Sequence, residues 1–203
     1  MKRRDVAGLL VMGGIVFMGS SGAKAEAEVD PLVAKDTTRT CAGCHGIADY
    51  RIAFPEVYSV PRIGGQDADY IAKALESYRA GTRTHPAMNG IAGTLTDKDI
   101  AAITSYYSTA APQAHGKTDE SGRKHAEASC DSCHGKPGAK PVMPGAPRLA
   151  GQQYDYLVHS LQALRSGARA SPIMGAMAKP LTDDDIRALS RYYSTVPGLS
   201  AKY

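Results

Sequence analysis

The four cysteines of this 203-residue chain lie in two short stretches of the same form. The stretches are Cys41-Ala-Gly-Cys44-His45 and Cys130-Asp-Ser-Cys133-His134. Two C-x-x-C pairs are compatible with disulfides, redox dithiols or a four-thiolate zinc site. A histidine directly after the second cysteine favours haem, because two thiols one helical turn apart can add to its two vinyl groups while the imidazole binds the iron. The motifs therefore predict two covalently bound haem c groups, with His45 and His134 as axial ligands.

An internal repeat gives each motif its own half of the chain. A shift of 86 residues superimposes residues 70–109 on 156–195 without a gap, with 18 identities in 40 positions. Such a duplication predicts two similar domains. An Ala-, Pro- and Gly-containing linker near residue 113 divides them, so we place the N-terminal domain at 26–112 and the C-terminal domain at 113–203. The first domain has three extra residues between its haem motif and Pro61.

The repeat also selects candidates for the sixth iron ligand. Beyond residue 25 the methionines are Met88, Met143, Met174 and Met177. Met88 aligns with Met174, each two residues after a proline in a predicted loop between two helices, whereas Met177 aligns with an isoleucine. We therefore predict His/Met coordination, by Met88 in the first domain and by Met174 in the second. Bis-histidine coordination stays open for one domain, although no second histidine occupies equivalent positions in both halves.

Helical periodicity dominates the segments that must position these ligands. Apolar residues recur at spacings of three and four from Tyr70 and from its repeat equivalent Tyr156, and a glycine eleven residues later can end each helix. A last helix in each half is predicted to begin after an N-capping threonine, Thr96 or Thr182. Shorter helices are expected over residues 31–41 and 120–130. No segment alternates like a strand, so we predict an all-α fold, each domain being three or four short helices around its haem.

The first 25 residues have the features of a secretory signal. A basic start is followed by an uncharged apolar run over residues 6–20 and by Ala23-Lys24-Ala25, a typical cleavage sequence. We expect cleavage after Ala25 and export from the cytoplasm. An uncleaved membrane anchor is the alternative, although the apolar run is short for a membrane span.

The charge that remains after cleavage is small and unevenly divided. Removal of the leader lowers the formal net charge from +4 to +1 and leaves no basic run, which argues against nucleic-acid binding. Residues 26–115 carry −3 and residues 116–203 carry +4. We expect the C-terminal domain to prefer an acidic partner surface and the N-terminal domain a basic or neutral one. The alternative is a set of solvated charges without a partner.

Several shared features give the chain a resemblance to a known family. Each half continues from its haem motif to a Pro-x-Leu/Ile segment with a glutamine, a tyrosine-led helix, a Gly-x-Arg turn, a methionine and a final Tyr-Tyr helix. In this order the features resemble the two-domain, di-haem cytochrome c4 family over essentially the whole chain after the leader. The resemblance implies two class I cytochrome c folds and a periplasmic electron shuttle, commonly toward a membrane-bound terminal oxidase. It also implies that Pro61 and Pro147 supply carbonyls to the haem-binding histidines.

Polar side chains on the helices are candidates to bind the haem propionates. They are Tyr107 and Tyr193, or their neighbours Tyr106 and Tyr192, together with Arg79, Arg83, Arg165 and Arg169. The alternative for each is ordinary packing, of tyrosine on the core and of arginine on a solvated face.

The predicted function is one-electron transport. A methionine thioether favours ferrous iron and fills the position that an oxidant would need, and no catalytic triad or nucleotide-binding loop accompanies it. We therefore expect a carrier and not an enzyme, with a periplasmic electron donor and a membrane oxidase as partners; peripheral membrane association is left open. Two alternatives remain. One is a di-haem peroxidase, which would need an open iron site, and the other is a fixed haem subunit of a membrane oxidoreductase complex.

Overall fold

The computed structural model describes residues 36–202, so the predicted leader lies outside the described residues. In the N-terminal half the helices are α1 (Arg39–His45), α2 (Ala68–Arg79), α3 (Pro86–Ala92) and α4 (Asp97–Ser108). Two short antiparallel strands, β1 (Arg51–Ile52) and β2 (Tyr58–Ser59), lie between α1 and α2.

The C-terminal half begins with an irregular helical stretch that leads through the second haem motif. It consists of a 3₁₀ turn (Glu120–Gly122), α5 (Arg123–His125), a π-helical turn (Ala126–Cys130) and α6 (Asp131–His134). The helices that follow are α7 (Tyr154–Ser166), α8 (Pro172–Ala178) and α9 (Asp183–Thr195). The longest helices have 13 residues, and over residues 36–202 none is both long and apolar enough for a membrane span.

The helices confirm the all-α prediction, and their ends follow from local chemistry. Thr96 caps α4 by accepting a hydrogen bond from the backbone N–H of Asp99, whose carboxylate in turn accepts from the N–H of Thr96. Thr182 and Asp185 form the same reciprocal cap on α9. Gly167 ends α7 with a φ of 82°, a left-handed conformation that a β-carbon would disfavour.

Two local predictions are wrong. Residues 51–59 form the β-hairpin β1–β2, although no strand was expected in the chain, because two-residue strands are too short to show alternation. Met88 and Met174 lie in the short helices α3 and α8 rather than in loops. In both helices a proline occupies the first turn and the preceding side chain caps the N-terminus, which allows seven residues to form a helix.

The two halves bury equivalent apolar faces. In the N-terminal domain α2 packs against α4, and in the C-terminal domain α7 packs against α9. The N-terminal core contains Ile71, Leu75, Ile100, Ile103 and Tyr107, with Cys41 and Met88 at its border. The C-terminal core contains Ala126, Ala150, Leu157, Leu189, Tyr192, Tyr193 and Val196, with Cys130 at its border. Each haem motif and its helices thus share one core.

Candidate haem sites and the domain interface

The four motif cysteines lie in the two haem motifs, with Cys41 and Cys130 at the edges of the two cores. Cys41 and Cys44 lie one turn apart in α1, and all four side chains are partly buried. Burial raises the pKa of the Cys41 and Cys130 thiols, which keeps both protonated. Within residues 36–202 the thiols form no disulfide and join no metal-binding group of three or more ligands. Two separate pairs suit thioether attachment to two haems and do not suit a four-thiolate zinc site.

Each motif histidine is held in the tautomer that suits an iron ligand. Nδ1 of His45 lies 2.8 Å from the carbonyl oxygen of Pro61, and Nδ1 of His134 lies 2.8 Å from that of Pro147. A carbonyl only accepts, so Nδ1 carries the proton and Nε2 keeps its lone pair. Burial lowers the pKa of both imidazoles, which keeps them neutral. Nε2 of His134 is buried without a hydrogen-bond partner among the described atoms, as a position reserved for a metal would be.

The two candidate methionines occupy equivalent positions on capped helices. The backbone N–H of Met88 donates to the His85 ring and that of Met174 donates to the Ser171 hydroxyl, each at 3.3 Å. Met88 also packs against the N-terminal core. Met177 lies one turn beyond Met174 and is 42% exposed. This arrangement supports the repeat-based choice of Met88 and Met174, and the assignment stays a prediction.

The tyrosines that end the last helices are buried. Tyr107 is fully buried, and its hydroxyl has no hydrogen-bond partner among the described atoms. Tyr193 is 3% exposed, and its hydroxyl donates to Asp131 at 3.1 Å. Burial raises the pKa of both phenols, so they stay protonated. Tyr107 therefore presents a buried donor for an acceptor outside the chain, whereas Tyr193 already has one.

The four candidate arginines divide into two kinds. Arg79 pairs with Asp97 at 2.7 Å and Arg165 with Asp183 at 2.6 Å, so each ties a helix to the start of the next core helix of its domain. Arg83 and Arg169 instead lie between the domains, and neither forms an ion pair with a carboxylate within residues 36–202. Propionate binding therefore suits the second kind.

Arg83 and Arg169 meet tyrosines of both domains. Arg83 donates to the hydroxyls of Tyr70 and Tyr156 at 3.3 and 3.0 Å, and Arg169 donates to that of Tyr70 at 3.2 Å. Burial opposes ionisation of Tyr70, but the two guanidiniums outweigh it and lower the pKa of Tyr70 to about 7. Two half-buried cations without a carboxylate partner among the described residues suit an anionic group such as a haem propionate. The tyrosines and arginines of this cluster are equivalent in the repeat, which could have indicated the cluster. The repeat does not indicate that the cluster lies between the domains.

Two buried glutamines form a further contact that sequence reasoning missed. The side chain of Gln66 accepts from the N–H of Arg148 at 2.7 Å and donates to its carbonyl at 3.0 Å. Gln152 accepts from the N–H of Arg62 at 2.8 Å and donates to its carbonyl at 2.9 Å. We call this pair of contacts the reciprocal clasp. Gln66 and Gln152 are equivalent in the repeat, so the clasp has approximate two-fold symmetry.

A second interdomain contact has no counterpart across this symmetry among the described residues. The Asp155 carboxylate on α7 accepts from Arg51 and from the backbone and hydroxyl of Ser59, so it holds the hairpin of the other domain. Beside it, His159 pairs with Glu56 at 3.0 Å and stacks on Tyr58 with ring centroids 4.2 Å apart. The hairpin spans the part of the chain in which the first domain has its three extra residues.

Comparisons with known proteins agree with this architecture. Residues 33–111 match the family model described as cytochrome c, and residues 117–192 match that of cytochrome c oxidase, cbb3-type, subunit III. Cytochrome c4 of Pseudomonas aeruginosa is 30% identical over 90% of this chain and 96% of its own length. The thiosulfate dehydrogenase electron acceptor of Stutzerimonas stutzeri is 31% identical over 80% of this chain and 82% of its own.

A solved structure shows the same fold. Reduced recombinant cytochrome c4 from Pseudomonas stutzeri matches with a TM-score of 0.68 and 27% identity, over 83% of this chain and all of the other. Two cytochrome c domains, each with its C-x-x-C-H motif, bind two haem c groups covalently. The chain is a di-haem electron carrier and belongs to the cytochrome c4 family.

Proposed function

We propose that this protein is a periplasmic one-electron carrier of a respiratory chain that passes electrons toward a membrane-bound terminal oxidase. The observation that carries the proposal is the equivalence of the two sites, since each has a carbonyl-bound histidine and a helix-borne methionine in the same register. A di-haem peroxidase would need one site that differs. Export follows from the predicted leader over residues 1–25.

The proposed ligands divide the work at each site. Cys41, Cys44, Cys130 and Cys133 would hold the two haems, His45 and Met88 would bind the first iron, and His134 and Met174 would bind the second. Bound in this way, haem c supplies a reversible one-electron ferric/ferrous couple. The thioethers of Met88 and Met174 would bind the two irons and keep oxidants and water away from them. The carbonyls of Pro61 and Pro147 orient the imidazoles. Tyr107 and Tyr193 close the cores, and Arg83 and Arg169 would bind the haem propionates.

The electron donor is proposed to be a dehydrogenase of small inorganic sulfur compounds or another periplasmic oxidoreductase. The support is the relative named as a thiosulfate dehydrogenase electron acceptor, which covers both domains. Purified reduced protein added to oxidase-containing membranes should be oxidised in a cyanide-sensitive reaction, and it should not turn over peroxide or thiosulfate alone. Peroxide turnover by the purified protein, or membranes that never oxidise it, would contradict the proposal.

The two domains are proposed to dock different partners. Between residues 132 and 182 the C-terminal domain has one acidic residue, Asp155, and its carboxylate is hydrogen-bonded to the hairpin. Residues 43–96 of the N-terminal domain contain five acidic residues. Exposed apolar side chains flank the second haem-binding residues. These side chains are Val142 and Met143, whose N–H groups donate to the Cys133 carbonyl, and Ile173 and Met177, beside Met174 on α8. An apolar face in basic surroundings suits a redox protein with an acidic rim.

Charge reversal tests this part of the proposal. Lys140 and Lys179 are exposed and have no ion-pair partner within residues 36–202. Lys140→Glu with Lys179→Glu should slow electron exchange with an acidic plastocyanin about ten-fold or more at low salt, and the difference should vanish at high salt. Lys98→Glu with Lys117→Glu changes the charge equally elsewhere and should have little effect. Equal slowing by both double variants would instead favour a single shared docking face.

A further inference from the structure

The reciprocal clasp and the haem-binding histidines share the same two peptide groups. The carbonyl oxygen of Pro147 and the N–H of Arg148 belong to one peptide. The oxygen accepts from Nδ1 of His134, and the N–H donates to the side chain of Gln66 in the other domain. The chain of hydrogen bonds therefore runs from the imidazole of one domain, through a single planar peptide, to the glutamine of the other.

The opposite chain of hydrogen bonds has the same form. Nδ1 of His45 donates to the Pro61 carbonyl, and the N–H of Arg62 in that peptide donates to Gln152 of the C-terminal domain. Gln66 and Gln152 are 3% and 5% exposed, so little water competes for these bonds. Each glutamine is further held by a backbone N–H of its own domain, that of Asp67 or Gln153. The geometry of both chains is thus fixed at each end.

Hydrogen bonds in series polarise one another. An acceptor on the peptide N–H increases the negative charge on the carbonyl oxygen, which strengthens its bond from the imidazole N–H. A stronger bond at Nδ1 makes Nε2 a better electron donor to a metal and favours the higher oxidation state. Loss of the glutamine should act in the reverse direction.

We infer that each glutamine of the reciprocal clasp is a positioning residue for the haem of the opposite domain. Gln66 acts on the site of His134, and Gln152 acts on the site of His45. The inference rests on the proposed roles of these two histidines as axial ligands. It gives the domain interface a function beyond adhesion, because the redox potential of each haem depends on correct docking of the other domain.

The test substitutes each glutamine by methionine, which has similar volume and makes neither hydrogen bond. In the haem-loaded Gln66→Met protein, the midpoint potential of the C-terminal haem should rise while that of the N-terminal haem stays unchanged. Gln152→Met should do the opposite. Hydrogen exchange at Nδ1 of the affected histidine, followed by NMR, should accelerate by up to about two-fold, because its bond to the proline carbonyl is weakened and not lost, and one bond in series changes the next by about 10–30%. The haem methyl signals changed by Met174→Ala identify the C-terminal haem in these spectra.

Two controls separate the effect of this hydrogen-bond chain, which we call the relay, from a general weakening of the domain interface. Gln162→Met changes an exposed glutamine on α7 and should leave the midpoint potentials of both haems unchanged. Asp155→Asn weakens the hairpin contact without touching the Pro147–Arg148 peptide, and it should leave the C-terminal potential unchanged. The inference is overturned if Gln66→Met changes the midpoint potential of the N-terminal haem instead, of both haems equally, or of neither haem. It is also overturned if Asp155→Asn changes the midpoint potential of the C-terminal haem as much as Gln66→Met does.

Either glutamine variant decides the question if the other does not fold. Reversible one-electron titration of both haems in the wild-type protein tests the proposed carrier function separately. Failure of the relay would therefore leave that titration intact, whereas failure of the carrier function would not.

Discussion

Replacement of Asp155 by alanine should release the hairpin from the C-terminal domain. One carboxylate oxygen of Asp155 accepts from the Ser59 N–H at 3.0 Å, from the Ser59 hydroxyl at 2.9 Å and from Arg51 at 3.1 Å. Ser59 is 8% exposed, so water cannot readily replace the lost acceptor. Both Ser59 groups would then be left buried and without this partner.

The magnitude follows from the three bonds. Hydrogen bonds to a charged group contribute about 1.5 kcal/mol or more each when buried, so the two from Ser59 account for about 3 kcal/mol. Arg51 is 57% exposed, and its ion pair adds little because solvent screens it. A loss of about 3 kcal/mol in the free energy of hairpin opening corresponds to an increase of about 100-fold in the opening equilibrium.

Hydrogen exchange of the Ser59 amide measures this opening directly. In Asp155→Ala its exchange rate should rise about 100-fold, while amides in the cores of α4 and α9 should keep their wild-type rates. Asp69→Ala is the matched control, because Asp69 is the repeat equivalent of Asp155 but is exposed on α2. An unchanged Ser59 rate in Asp155→Ala, or an equal rise in Asp69→Ala, would refute the assignment of the hairpin contact.

Two further predictions concern the ligands and the helix caps. Met174→Ala should abolish the methionine-to-ferric-iron charge-transfer band of the C-terminal domain and Met177→Ala should retain it; loss of the band in Met177→Ala alone would show that the repeat register is wrong. Thr182→Ala should lower the free energy of unfolding by about 1 kcal/mol in chemical denaturation, because it removes the N-cap of α9. Hydrogen bonds from Thr182 lower the pKa of Asp185, so this cap stabilises the fold above the ordinary carboxyl range and is lost as the pH falls. The variant should therefore lose less stability on acidification than the wild type, and an equal acid response in both would contradict this reason.

Sequence reasoning predicted the local chemistry of the sites. Cys41, Cys44 and His45 lie within about one helical turn, so their spacing predicts haem attachment without any knowledge of the tertiary structure. The helix caps at Thr96 and Thr182 are equally local, and both occur as expected. The choice of Met88 and Met174 used only the repeat register, and their positions in the structure are consistent with it.

The domain interface could not be predicted in the same way. Gln66 and Gln152 are identical in the repeat, but only the docked structure shows that each contacts the backbone of the other domain. The same holds for Arg83 and Arg169, each of which contacts a tyrosine of the other domain. Periodicity reports which residues a helix buries in its own core, whereas contacts across a pseudo-symmetric interface leave no period in the sequence.

A spectroelectrochemical titration of the purified mature protein tests the central claim most directly. The account predicts two haems per chain, each titrating with one electron, a ferric spectrum that keeps the methionine charge-transfer band and is unchanged by peroxide, and a ferrous spectrum that is unchanged by carbon monoxide. A single haem per chain, a two-electron transition, or one high-spin haem that binds carbon monoxide would contradict it.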